Sequence, residues 1–131
     1  MGSSGPEDPR VTPPPAPGDI VRGRLLPTTS APREGERVDV LVSAEDTIIE
    51  HILSGSLARP VEFLQDHIEW VVVLAGGAQL DVAGERVDLS PGEWVLISAE
   101  TPHRVMSTQA GTEWLAVHLP RGRCLTTERR G

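Results

Sequence analysis

The sequence predicts an all-β fold, an antiparallel sandwich or barrel. Short apolar runs fill residues 69–103 and are separated at regular intervals by the turn-forming pairs Gly76-Gly77, Ala83-Gly84 and Pro91-Gly92. Short strands that are evenly spaced in this way are typical of sandwiches and barrels and not of βαβ folds. Over residues 78–82 and 86–89, apolar residues alternate with polar ones, which predicts strands with one buried and one solvated face.

The chain is predicted to begin with a disordered segment, which an edge strand, a loop and a further short element follow. Residues 1–19 are rich in proline, glycine, serine and acidic residues. Such a segment buries too little apolar surface to offset the entropy lost on ordering, so we expect it to be disordered. We expect a first edge strand over residues 20–26 and then a loop, with Pro32 and Gly35 as its breakers. Residues 38–42 indicate another strand or a short helical turn.

Three further elements complete the predicted barrel domain, which spans residues 20–119. Residues 47–53 are rich in β-branched side chains and predict a strand. Glu50 and His51 point to opposite faces of that strand, so one of them should face into the barrel, and we include His51 among the pocket-lining candidates. Pro60 marks an edge strand or bulge. The last strand covers 112–119, and residues 120–131 form a flexible tail.

Composition limits the function classes. The 131 residues are the size of one domain, and their net charge of −7 argues against nucleic-acid binding. No apolar stretch is long enough to cross a membrane. Cys124 is the single cysteine. An internal disulfide is therefore impossible, and we expect a protein of the reducing cytoplasm.

Two spaced motifs resemble those of the cupin superfamily, and in particular small single-domain bacterial cupins of the cupin 2 type. Glu69, six residues and Gly76 are similar to the second half of the first cupin motif. The second motif is matched by Pro91-Gly92, Ser98-Ala99-Glu100 and His103, with Ser98 in place of the usual proline and Glu100 in place of the usual glycine. The resemblance covers roughly residues 37–119 and implies a jelly-roll barrel.

The resemblance also implies a site with a degenerate first motif. Metal-binding cupins carry two histidines and a glutamate in the first motif and a third histidine in the second, and these positions fall here on Phe63, Gln65, Glu69 and His103. Gln65, Glu69 and His103 are the candidate ligands, because carboxamide, carboxylate and imidazole all suit Zn, Mn, Fe or Ni. The loss of imidazole should weaken such a site. Phe63 would make the pocket mouth apolar.

Two more histidines are candidates for the pocket lining. His67 shares strand parity with Gln65 and Glu69 and would face inward in a straight strand, whereas the turn that is usual in cupins would expose it. His118 has the parity of Trp114. It lines the pocket if that face of the last strand is the lumen, and it faces solvent if the opposite face is. Both alternatives are open for both residues.

Two functional classes fit these residues. The first is a small-molecule binding protein, with or without a divalent metal, whose lumen uses Glu69 and His103 as hydrogen-bonding groups. The second is a metal-dependent oxygenase, isomerase or decarboxylase, in which Glu69 could double as a base. The missing histidines favour the binding protein. Exposed strand edges and the outward-facing Trp70 predict a homodimer.

Overall fold

The computed structural model describes residues 15–121, and these form nine β-strands and one short 3₁₀ helix, Thr28–Ser30. The strands are β1 (Glu36–Ala44), β2 (Thr47–Ser54), β3 (Val61–Phe63), β4 (Ile68–Ala75), β5 (Ala78–Val82), β6 (Glu85–Leu89), β7 (Trp94–Ile97), β8 (His103–Thr108) and β9 (Thr112–Leu119). Residues 1–14 and 122–131 lie outside this range, and with them most of the predicted disordered lead and flexible tail. Within residues 15–121, no helix is long and apolar enough to cross a membrane.

The strands form two antiparallel sheets. The larger sheet has the order β1-β2-β9-β4-β7 and the smaller one the order β3-β8-β5-β6. The chain passes from one sheet to the other and back, so strands that are neighbours in sequence often lie in different sheets. This is a jelly-roll sandwich, and it confirms the all-β prediction.

The core lies between the sheets. Val71 and Val73 on β4 are in register with Ala116 and Trp114 on β9, so all four side chains project from one face of the larger sheet. Leu80 and two other buried residues meet them from the smaller sheet, Leu89 and Val105. Trp114 is buried without leaving its polar atom unpaired, because Nε1–H donates to Ser54 Oγ at 2.9 Å.

The predicted first strand over residues 20–26 is not formed. Ile20 and Val21 are 87% and 80% exposed, and no strand precedes Glu36 in the described residues. A strand needs a partner for its backbone, and local alternation does not show whether a partner is present. Residues 38–42, for which the sequence left a strand and a helical turn open, belong to strand β1. This strand pairs with β2 and forms one edge of the larger sheet.

Candidate functional site

A cavity of about 200 Å³ opens between the two sheets at one end of the core. Its wall combines polar and apolar side chains. The polar side chains are Glu36, Glu50, Gln65, Glu69, His103 and His118, and the apolar ones are Val38, Ile52, Phe63, Val71, Leu80, Ile97, Val105 and Trp114. The structure thus brings together the three predicted ligand positions. It also shows that Glu50, and not His51, faces the cavity from β2, and it adds Glu36, which sequence reasoning did not place there.

Glu69 and His103 face each other across the cavity from different sheets. Glu69 lies near the start of β4, and His103 is the first residue of β8. Glu69 Oε1 is 3.4 Å from His103 Nε2, and the two side chains are only 14% and 4% exposed. The contact with Glu69 raises the pKa of His103 above its usual value, against the opposing effect of burial.

The orientation of the His103 ring is fixed by a second contact. Its Nδ1–H donates to the carbonyl oxygen of Thr101 at 2.9 Å, and a carbonyl can only accept. The proton therefore sits on Nδ1 in the neutral ring, and Nε2 is turned toward the cavity and Glu69. The same contact with Thr101 also raises the pKa of His103.

Phe63 closes one wall of the site with an apolar ring. It pairs with His103 across β3 and β8, and the two rings stack at 16° with centroids 5.5 Å apart. At the motif position where metal-binding cupins carry a histidine, this chain thus presents a hydrocarbon surface to the cavity. The predicted apolar contribution of Phe63 matches its position in the wall.

His118 lies inside the cavity, on the same face of β9 as Trp114 and Ala116. Its Nε2 is 2.7 Å from Glu50 Oε1 and 4.0 Å from Glu69 Oε2. Because a carboxylate only accepts, Nε2 donates to Glu50. Of the two orientations left open by the sequence, the structure shows the inward one.

His67 lies behind His118 and does not belong to the wall of this cavity. It precedes β4 and is partly exposed, and its Nε2 lies 2.8 Å from His118 Nδ1. One of these two nitrogens carries the proton of the hydrogen bond that joins the imidazoles, and the other ring nitrogen of His67, Nδ1, lies 3.4 Å from Asp66 Oδ1. His67 lines a shallower neighbouring cleft, which shares Glu50 and His118 with the main cavity.

His51 lies on the opposite face of β2. Contrary to the prediction, it is not among the residues that line the cavity. It is buried, and its Nε2 is 2.7 Å from Glu113 Oε2. Its strand neighbours Glu50 and Ile52 take the cavity positions instead. The alternation along β2 was readable from the sequence, but the choice of face depends on which side the second sheet covers.

Glu36 is the cavity carboxylate that sequence reasoning missed. It starts β1, in register with Ser54, and it lies at the rim of the cavity, where the residue is exposed to solvent. Burial against the wall, together with the nearby carboxylates of Glu69 and Glu50, raises the pKa of Glu36. Its shared parity with Val38 was the available signal, once β1 is recognised as a strand.

The donor atoms present do not fit a tightly held metal ion. Glu69 and His103 are close enough to share one, but Phe63 and Gln65 occupy the remaining motif positions. His118 does not replace the lost imidazole, since both its ring nitrogens are engaged in hydrogen bonds. Within residues 15–121, no three histidine, cysteine, aspartate or glutamate side chains are arranged to hold an ion. We therefore derive no chemical step through a metal.

Comparison with known proteins finds a matching family profile and several similar solved structures. The sequence profile of the cupin domain matches residues 48–118. A crystal structure from Ralstonia eutropha JMP134, provisionally described as a mannose-6-phosphate isomerase, is 30% identical; the match covers 77% of this chain and 99% of that one, with a TM-score of 0.67. No functionally curated protein matches the sequence significantly.

Two more distant structures share the fold. A cupin superfamily protein from Desulfitobacterium hafniense DCB-2 is 17% identical, with 77% of this chain and 94% of that chain covered and a TM-score of 0.64. The cupin domain of an XRE-family transcriptional regulator from Enterobacter cloacae is 19% identical, with 69% and 100% covered and a TM-score of 0.57. At these identities the likeness concerns the fold alone.

Proposed function

The chain belongs to the cupin domain family, and from this membership and the shape of its cavity we propose that it is a small-molecule binding protein. The observation that carries the proposal is the cavity itself, which lies between two sheets and is lined by eight apolar and six polar side chains. Small-molecule sites commonly combine an apolar body with a few convergent polar groups.

The apolar and the polar lining residues would contact different parts of a ligand. The apolar wall, which includes Phe63 and Leu80, would cover the body of a ligand and exclude water. Glu69 would accept hydrogen bonds from the ligand, and Gln65 would accept or donate them. His103 is held by Thr101 with Nε2 facing the cavity, so it is oriented before a ligand arrives.

A metal-dependent enzyme is the second candidate. The orientation of His103 favours it, because a metal-binding histidine commonly donates its other ring N–H to a backbone carbonyl. The relative from Ralstonia eutropha is provisionally described as an isomerase, which is consistent with this class. With only Glu69 and His103 as strong donors, we expect a divalent metal at Gln65, Glu69 and His103 to bind weakly and exchangeably.

The first experiment is a fragment screen by two-dimensional NMR. We expect small molecules to shift the amide signals of Gln65, Glu69 and His103 together. Val38→Trp should abolish these shifts, because Val38 lies half-exposed in the cavity wall, where an indole would fill the mouth without disturbing the core. Val61→Trp is the matched control, since Val61 is similarly exposed on β3 outside the cavity. Shifts that survive Val38→Trp would refute binding in this cavity.

Metal content separates the two candidates. We expect protein loaded with Mn, Fe, Ni or Zn and then dialysed to retain much less than one ion per chain, as measured by plasma mass spectrometry. Near-stoichiometric metal that is lost in a Glu69→Ala, His103→Ala double variant would instead support the metal-dependent enzyme.

We also propose that the protein acts in the cytoplasm. The supporting observation is its single cysteine, which is typical of chains that do not depend on internal disulfides. Fractionation of cells that express the full chain would test this, and recovery with an extracytoplasmic fraction would contradict it.

A further inference from the structure

The cavity carries an unusual balance of charge. Three carboxylates line it, from Glu36, Glu50 and Glu69, and among residues 15–121 its lining includes no lysine or arginine. The groups that can offset them are the imidazoles of His103 and His118. Even with both imidazoles protonated, three ionised carboxylates leave the cavity with a net negative charge.

The three carboxylates come from separate strands and surround one space. Glu36 starts β1, Glu50 lies in the middle of β2 and Glu69 lies near the start of β4. Glu50 and Glu69 are both within 4.0 Å of His118 Nε2. Partial burial, and after it the charges of Glu69 and Glu50, raise the pKa of Glu36.

The rest of the wall is hydrocarbon and aromatic. Phe63 and Trp114 are among its lining residues, together with Leu80 and Val105. Aromatic faces attract cations through their quadrupole, and apolar walls suit an alkyl or aryl body. The acidic groups and the apolar wall thus favour the two ends of one ligand.

We propose that the ligand is an organic monocation, with an ammonium or guanidinium head held by Glu36, Glu50 and Glu69 and an apolar body against Phe63 and Trp114. This inference rests on the proposed binding function and specifies its ligand class. A phosphate group would meet three carboxylates here, with two imidazoles but no lysine or arginine among the described lining residues to balance it. This chain therefore differs in expected ligand charge from a protein that handles a sugar phosphate.

A matched set of probes tests the charge preference. Benzylammonium, benzyl alcohol and benzoate each carry one aromatic ring and differ chiefly in charge. We expect benzylammonium to bind at least about tenfold more tightly than benzyl alcohol by titration calorimetry, since hydrogen bonds to charged groups contribute more than neutral ones. Benzoate should not bind. Chemical-shift mapping to Gln65 and His103 confirms the location.

Charge-removing variants test which residues hold the head. Glu36→Gln and Glu50→Gln should each weaken benzylammonium about tenfold and leave benzyl alcohol unchanged. Glu85→Gln is the control, because Glu85 is exposed on β6 and lies outside the cavity. Binding of benzylammonium that is insensitive to both cavity variants would overturn the proposal.

The outcomes also distinguish this inference from the function on which it rests. If benzyl alcohol or benzoate binds in the cavity as tightly as benzylammonium, the charge preference is wrong and the binding function stands. If none of the probes and no fragment binds there, both are wrong. All titrations are run in a chelator and repeated with Mn or Zn. Displacement of benzylammonium by stoichiometric metal would show that the carboxylates serve an ion and would overturn the inference.

Discussion

Glu69 and His103 form a buried pair whose behaviour depends on their surroundings. Phe63 stacks on the imidazole and keeps water away from one side, so the interaction with Glu69 is less screened than at a surface. Burial alone would lower the pKa of a histidine, yet the contacts with Glu69 and Thr101 outweigh it. The pair therefore favours the imidazolium.

We predict that Glu69→Gln lowers the pKa of His103. In the wild type the folded-state pKa is raised above that of the unfolded chain, so the pair's stabilisation is complete below the unfolded value of 6.5 and is lost as the pH rises through the folded value. NMR titration of the His103 ring, with thermal unfolding measured between pH 5 and pH 8, tests both parts. In Glu69→Gln the pH dependence of stability should flatten.

The control for this titration is Glu85→Gln, which removes an exposed carboxylate outside the cavity and should leave the His103 midpoint where it is. An unchanged midpoint in Glu69→Gln would show that Glu69 does not set the protonation of His103. The protonation of His103 would then have to be explained by its other neighbours.

Within the described residues, three connections of the fold place a residue other than glycine in the left-handed region, at Glu45, Ala83 and Glu100. Ala83 and Gly84 form the two-residue turn between β5 and β6, with φ of +52° and +87°. Glu100 takes φ of +58° just before β8. Glycine, which is usual at this position of the second motif, adopts this conformation without steric strain. Glu100 therefore carries backbone strain that the usual glycine would avoid.

We predict that Ala83→Asn stabilises the protein. The positive φ at both central residues is that of a type I′ hairpin turn, where asparagine followed by glycine is strongly preferred and alanine is not. The expected gain is on the order of 0.5–1 kcal/mol in the free energy of unfolding. Urea denaturation measures it. Ala83→Val should change stability in the opposite direction, and equal stability of the two variants would contradict the explanation.

The sequence predicted the strands better than it predicted their surroundings. The ranges 47–53 and 112–119 were close to the observed β2 and β9, because β-branched and alternating patterns are local. Strand 20–26 failed, since pairing is decided by distant residues. The choice between Glu50 and His51, and the presence of Glu36 in the cavity, also depend on how β1, β2, β9 and β4 lie side by side. The motif resemblance found Glu69 and His103 but carried no information about these additions.

At the scale of the whole molecule, the outer face of the larger sheet is markedly apolar. Trp94 on β7 is in register with Val72, on the face opposite the core residues. Its ring lies 6.0 Å from that of Trp70, and Trp94 is 50% exposed. Leu74, 39% exposed, extends the same surface. Large exposed apolar patches on soluble proteins commonly mark interfaces.

We predict that the protein is a homodimer which buries this patch, defined by Trp70, Leu74 and Trp94. Light scattering on a sizing column should give twice the chain mass of 14.1 kDa. A Leu74→Ser, Trp94→Ser double variant should shift to the monomer, because tryptophans often carry much of an interface's binding energy. Val61→Ser is the control, since Val61 is similarly exposed on the other sheet. A monomeric wild type would rule out the dimer, and a dimeric double variant would move the interface to another surface, such as the open edge of β1, where Val40 and Val42 are exposed.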